Sequence, residues 1–128
     1  MTHRLAVRVY YEDTDMAGIV YYANYLKYIE RSRSEMVEEL GMDQKAMRDA
    51  GIVFAVVRVE ADYLAPARLD DRLEVLTEHE PKSMTRSVFD QKVYREDTLL
   101  FRALVTAVCM TTEGKPTRLP AELRQKLG

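Results

Sequence analysis

Tyr10-Tyr11-Glu12-Asp13-Thr14-Asp15-Met16-Ala17-Gly18-Ile19-Val20-Tyr21-Tyr22-Ala23-Asn24-Tyr25 joins a strand-like opening to a long helical pattern. Three carboxylates stand within four positions, a glycine follows, and then the hydrophobic period changes. That order can set a fixed negative charge beside unpaired backbone N–H groups at a helix N-terminus. Such a pair can attack a carbonyl carbon and steady the oxyanion that forms.

Upstream of the join, residues 5–11 alternate, with Leu5, Val7, Val9 and Tyr11 on one face and Arg8 and Tyr10 on the other, which predicts a strand. Residues 13–21 read as a loop, marked by Asp-Thr-Asp and Gly18. Downstream, Tyr22, Tyr25, Leu26, Ile29, Met36, Val37 and Leu40 recur at helical spacing, so a helix is expected over 22–40 with Gly41 as its C′ residue. Ser32 and Arg33 interrupt the apolar stripe, and a residue as small as Ser32 would let the helix lie close against a curved sheet. A second, short helix is expected over 43–50, closed by Gly51.

Beyond Gly51 the pattern is β almost to the end. Strands are expected over 52–64, 73–79, 85–94 and 99–110, with Val53, Ala55, Val57, Val59, Ala61 and Tyr63 on one face of the first. Arg95-Glu96-Asp97-Thr98 reads as a hairpin turn and Pro81-Lys82-Ser83 as a looser one. Residues 111–120 are polar, and 121–127 could add one or two helical turns. One long helix and five strands lack the crossovers of a two-sided parallel sheet. The economical arrangement is α+β: an antiparallel sheet curled round one central helix, with edge strands that need a partner.

At 128 residues the chain is one domain over 1–128. Its net charge of −2 speaks against a general nucleic-acid binder, which needs a basic face. The start of the chain lacks an apolar segment of signal-peptide type, and no run of ~18 apolar residues suggests membrane insertion. A cytoplasmic protein is expected. The single cysteine, Cys109, lies in an apolar run and reads as a buried thiol. Only two histidines exist, His3 in a terminus expected to fray and His79 at a strand end, so neither a Ser-His-Asp arrangement nor a zinc site is expected. No Gly-rich phosphate loop occurs, and neither a metal nor a cofactor is expected.

Chemistry therefore falls to carboxylates. Glu12, Asp13 and Asp15 are residues that cap loops and helix starts. Alternatively, Asp15 faces a carbonyl carbon as nucleophile or as general base for water. Gly18 would let a ligand approach the backbone, and free N–H groups over 18–22 would supply oxyanion donors.

Residues 7–26, Val-Arg-Val-Tyr-Tyr-Glu-Asp-Thr-Asp-x-x-Gly-Ile-Val-Tyr-Tyr-Ala-Asn-Tyr-Leu, resemble the hotdog-fold acyl-CoA thioesterases of the 4-hydroxybenzoyl-CoA thioesterase family, most closely the Tol–Pal-operon group. The likeness continues through Glu30-Arg31-Ser32-Arg33-Ser34-Glu35-Met36 and returns at Tyr63-Leu64-Ala65-Pro66-Ala67-Arg68-Leu69-Asp70-Asp71. It implies a hotdog fold, a five-stranded antiparallel sheet wrapped round the helix, and hydrolysis of a short-chain or aromatic acyl-CoA to free acid and CoA. It implies Asp15 as the catalytic carboxylate, nucleophile or base, and the Tyr22 N–H as the group polarising the thioester carbonyl, with Gly18, Ile19 and Val20 beside them. Tol–Pal relatives often carry His where this chain has Tyr22. Lys82, Ser83 and Arg86 occupy the turn where the resemblance places contacts to the CoA phosphates, with Arg68 and Arg118 as weaker candidates. Glu30 and Glu35, on the helix, read as solvent-facing charge, and Tyr21, Tyr25 and Tyr28 as core or interface. Partners implied are acyl-CoA, further copies of the chain (a dimer and then a tetramer), and acyl carrier protein. The alternative is a non-catalytic hotdog module that binds acyl-CoA or acyl carrier protein, or a cell-envelope scaffold.

Overall fold

A computed structural model describes residues 2–121, so the helical turns expected over 121–127 fall almost entirely outside the described residues. Strands β1 (Thr2–Arg8), β2 (Ile52–Tyr63), β3 (Arg72–Pro81), β4 (Arg86–Arg95) and β5 (Thr98–Thr111) form one antiparallel sheet in the order β1-β3-β4-β5-β2. Helix α1 (Asn24–Glu39) packs across its concave face, and α2 (Gln44–Asp49) returns the chain to β2. This is the expected hotdog arrangement: β1 and β2 are the two edges, and α1 lies between them over the middle strands.

The stripe that α1 buries is Asn24, Tyr25, Tyr28, Ile29, Ser32, Met36 and Val37, one face of a 3.6-residue period. Leu26 and Tyr22, expected on that stripe, are exposed. Ser32 is instead near its centre: its Oγ lies 2.6 Å from Thr77 Oγ1, with both residues fully buried. Gln91, also 0% exposed, donates from Nε2 to Thr77 Oγ1 and to the Ile29 carbonyl, both at 2.8 Å. Its Oε1 accepts from Arg33 at 2.9 Å, and burial pulls the Arg33 guanidinium below its ordinary pKa. The helix therefore meets the sheet through a paired polar seam as well as through apolar contact. Gly41 closes α1 at φ +88°, with its N–H on the Glu38 carbonyl and that of Met42 on Val37, a C-cap that a β-carbon would strain.

Two sequence expectations change. The first strand runs over Thr2–Arg8 rather than 5–11, because the chain turns away after Val9. The Val9 N–H and carbonyl bond to Asp71 and Asp70, and the Tyr10 N–H donates to Asp13 Oδ2, starting a 3₁₀ turn at Tyr11–Asp13 that leaves Tyr11 exposed. His3, expected in a frayed end, is paired opposite Thr77 and only 4% exposed. The second change is in β2, where a bulge lies between Val56 and Arg58. An inserted residue flips every later side chain. Ile52 and Phe54 pack against the core before the bulge, opposite Thr111 and Cys109; after it Val59, Ala61 and Tyr63 lie on the same face as buried Val105, Ala103 and Phe101 but are themselves exposed. No single alternating face covers the whole strand. Cys109 is buried, and burial raises its thiol pKa, as expected of a structural cysteine. Among the described residues, no helix is long and apolar enough to cross a membrane.

Candidate active site

The loop from Thr14 to Ala23 is held by its own backbone. Asp15 N–H donates to the Ile19 carbonyl at 2.9 Å, and Gly18 N–H returns to the Asp15 carbonyl at 2.9 Å, a turn that needs the +78° φ of Gly18. Val20 N–H reaches the Ala67 carbonyl at 2.8 Å and Tyr21 N–H the Asp13 carbonyl at 2.9 Å. Asn24 Nδ2 grips that same Asp13 carbonyl. The loop is thus fastened to the segment after β2 on one side and to the first turn of α1 on the other.

Between these segments lies an open cleft of about 400 Å³. Asp15, Ile19, Val20, Tyr21 and Tyr22 line it from the loop, Tyr25 from α1, and Tyr63, Leu64, Ala65 and Pro66 from the end of β2. Of the three clustered acids, Asp15 is the one on the cleft. Its side chain is exposed, and Oδ1 accepts from the Ala17 N–H at 2.9 Å, which orients the carboxylate and leaves Oδ2 uncommitted. Asp13 serves the loop instead, through Oδ2 and its carbonyl.

The Val20 and Tyr21 N–H groups are occupied, whereas those of Tyr22 and Ala23, just before α1, have no acceptor among the described residues. Both peptides are anchored through their carbonyl ends. The Tyr21 carbonyl accepts from Asn24 N–H at 2.8 Å, and the Tyr22 carbonyl accepts from the Tyr63 hydroxyl at 2.9 Å. Donors held in this way need no reorganisation when charge develops in front of them. Aromatic rings form the wall behind. Phe101 stacks on Tyr25 at 4.8 Å and meets the Tyr63 ring edge-on at 5.0 Å, while Tyr22 meets Tyr63 at 6.2 Å. Burial is the main cause raising the Tyr25 phenol pKa, and its oxygen accepts from the Ala67 N–H. Burial, reinforced by the Asp13 charge, also pushes the Tyr28 phenol pKa well up. Neither is set up to donate a proton near neutrality.

The structure brings Asp15, Ile19, Val20 and Tyr22 together. Gly18 shapes the loop but does not line the cleft. Lys82, Ser83 and Arg86 lie in and just after the β3–β4 turn, where Lys82 pairs with Glu80 at 2.8 Å and Ser83 Oγ accepts from the Arg86 N–H. The register connects Arg86 through Val108 to Ala55, while the cleft begins at Tyr63 of the same strand. Eight strand residues separate those positions, about 27 Å. The two groups do not meet within one chain. Arg68 is nearer, bridged to Ile19. The role of Tyr63 was not anticipated; its signal was the Tyr-Leu-Ala-Pro run ending the longest β pattern after Gly51.

An exposed carboxylate, Asp15, and Tyr22 line one open cleft on a five-stranded antiparallel sheet wrapped round a helix, the arrangement of a hotdog domain. The sequence profile of the thioesterase-like superfamily matches residues 9–127. The acyl-CoA thioester hydrolase YbgC of Escherichia coli O6:H1 is 43% identical over 122 residues, covering 94% of this chain and 91% of its own length. The acyl-CoA thioesterase YbgC of Haemophilus influenzae is 37% identical, over 92% of this chain and 88% of its own. Among solved structures, the 1,4-dihydroxy-2-naphthoyl-CoA thioesterase Slr0204 of Synechocystis superposes with a TM-score of 0.91 at 26% identity, over 98% of this chain and 94% of that one. The chain belongs to the thioesterase-like superfamily. It is a thioester hydrolase, grouped with the acyl-CoA thioesterases.

Proposed function

We propose that the chain hydrolyses the CoA thioester of a short-chain or aromatic acid, with Asp15 as the reacting carboxylate and the Tyr22 and Ala23 N–H groups as oxyanion donors. The observation that carries this reading is that the uncommitted Asp15 oxygen and Tyr22 face the same cleft. In the nucleophilic form, a carboxylate oxygen adds to the thioester carbonyl and the negative charge moves to the carbonyl oxygen, in front of the N–H groups. Collapse breaks the C–S bond and releases CoA thiolate, which takes a proton from water, and a second water hydrolyses the anhydride. In the general-base form, Asp15 takes a proton from a water that attacks directly. Attack of the second water on the aspartyl carbonyl of the anhydride would place solvent oxygen in Asp15 during a single turnover in ¹⁸O water, a label the general-base route does not produce.

The ring wall of Tyr22, Tyr25 and Tyr63 supports a flat or short acyl group. CoA and acyl carrier protein present the same phosphopantetheine thioester arm, so acyl carrier protein remains in the proposal as a second donor. A homodimer is supported by β2, an edge strand whose Val56, Val57, Val59 and Tyr63 are each 42–52% exposed. Assembly beyond it, to a tetramer, would be how Lys82, Ser83 and Arg86 of one copy reach the CoA phosphates held by another. A cytoplasmic enzyme fits a substrate from the CoA pool. The test is thiol release from aliphatic and aromatic acyl-CoA thioesters and from acyl carrier protein thioesters, with wild type and Asp15→Asn. Turnover near wild type in the variant would sink the assignment of Asp15, and hydrolysis confined to long aliphatic chains would sink the acyl preference.

A further inference from the structure

Away from the cleft, the strand carrying His3 passes over the last turns of α1. His3 Nδ1 lies 3.0 Å from Glu39 Oε2, and Nε2 lies 3.8 Å from Glu35 Oε1. Glu35 and Glu39 are one helical turn apart, so their carboxylates share a face. Ligand atoms from all three residues fall within 4.8 Å of one another. The imidazole is 3% exposed, and Nε2 has no hydrogen-bond partner among the described residues. A buried ring nitrogen without a partner is costly.

We propose that His3, Glu35 and Glu39 form a binding site for a divalent transition-metal ion of the zinc, cobalt or nickel class. Donation from Nδ1–H to Glu39 leaves the lone pair on Nε2, the tautomer that ligates a metal, and a carboxylate behind a histidine is the usual device for holding it. The 3.8 Å from Nε2 to Glu35 is long for a hydrogen bond. Zinc bonds of ~2.0–2.1 Å separate two ligands by ~3.3 Å at a tetrahedral angle and by ~4.1 Å in a line. The observed gap falls between these, so one ion fits between the nitrogen and the oxygen. The two glutamates are about half exposed, which leaves the outer side open to water ligands. An imidazole with carboxylates suits borderline ions, whereas magnesium and calcium favour all-oxygen sites. Glu35 stands about 16 Å along α1 from Asn24 at ~1.5 Å per residue, so the ion would be structural, tying β1 to the helix.

The experiment is a zinc titration of the untagged protein against a chromophoric chelator, repeated with magnesium. One zinc per chain is expected, undisturbed by excess magnesium. Glu35→Gln and Glu39→Gln should each weaken it by roughly tenfold or more, His3→Gln should do the same, and Glu38→Gln, a neighbour outside the cluster, should leave it unchanged. Glu35 and Glu39 are surface residues, so the test stands even if His3→Gln fails to fold. No zinc retained by wild type, or equal retention by wild type and a Glu35→Gln/Glu39→Gln double variant, overturns the proposal. Either result would leave His3 as a hydrogen-bonded tether from β1 to Glu39.

Discussion

The seam between α1 and the sheet and the cleft at the start of α1 are built from the same kinds of group, yet they end in opposite states. In the seam, Ser32, Thr77, Gln91 and Arg33 bond to one another, and the Gln91 amide uses both its nitrogen and its oxygen. At the cleft and the turn into α1, the loop backbone is closed at Asp15, Gly18, Val20 and Tyr21, but one carboxylate oxygen and the N–H groups of Tyr22 and Ala23 have no partners among the described residues. Completed pairing gives the helix a defined seat on the sheet. Incomplete pairing, held in place by complete pairing around it, leaves the groups that the proposed mechanism turns toward a substrate. Stability and reactivity should therefore respond separately to mutation.

The sharpest break is Asp15→Asn. It keeps an acceptor for the Ala17 N–H, so the melting temperature should stay near wild type while kcat falls by ~10²–10⁴; a large loss of melting temperature would mean that the carboxylate also holds the loop. Gln91→Leu should do the reverse. It strands buried partners at Thr77 and Arg33, and should lower stability by ~2–3 kcal/mol in denaturant titration, with kcat of the folded fraction little altered. Smaller and more diagnostic is Tyr63→Phe. The ring wall stays, the bond to the Tyr22 carbonyl goes, and kcat should drop by about threefold to tenfold, on the order of 1 kcal/mol, with KM nearly constant. An equal rise in KM would show that the ring wall, not the anchored peptide, had been disturbed.

The smallest effect is one of pH on stability. Tyr28 has a phenol pKa raised above the ordinary 10.0 by burial and by the Asp13 charge. An unfolded chain gives up that proton first. The stabilisation is complete below pH 10.0 and is lost as pH rises toward the raised folded value. Thermal melts above pH 10.0 should fall with a slope that Tyr28→Phe makes shallower; an unchanged slope would assign alkaline unfolding elsewhere.

Much of the fold was legible because it is written in local periods. The helix, the strands and the turn at Arg95–Thr98 fall within two or three residues of their expected bounds, since amphipathic spacing reports each element alone. The misreadings have a common cause. Ser32 does lie close against the sheet as its small size suggested, but that its hydroxyl has a partner could not be read, because Thr77 is distant in sequence. The face of β2 was misjudged because its bulge is defined by pairing with β5. His3 looked frayed because β3 and the end of α1 cover it only in the folded chain.

The residues at the site divide in the same way. A carboxylate cluster, a glycine and a change of period are contiguous signals that marked the loop and Gly18, while the choice of Asp15 among its acids and of the Tyr22 N–H was what the family resemblance implied. Which N–H groups stay open was decided by Ala67 and Asp13 taking those of Val20 and Tyr21. Which ring anchors the Tyr22 peptide was decided by where β2 ends. By itself the sequence determined the elements, their order and the charged loop before α1, since short-range spacing suffices for these. Tertiary structure decided which polar groups are paired and which are free. A hydrogen-bond partner can come from any point in the chain, and only closure of the sheet round the helix brings donor and acceptor within 3 Å.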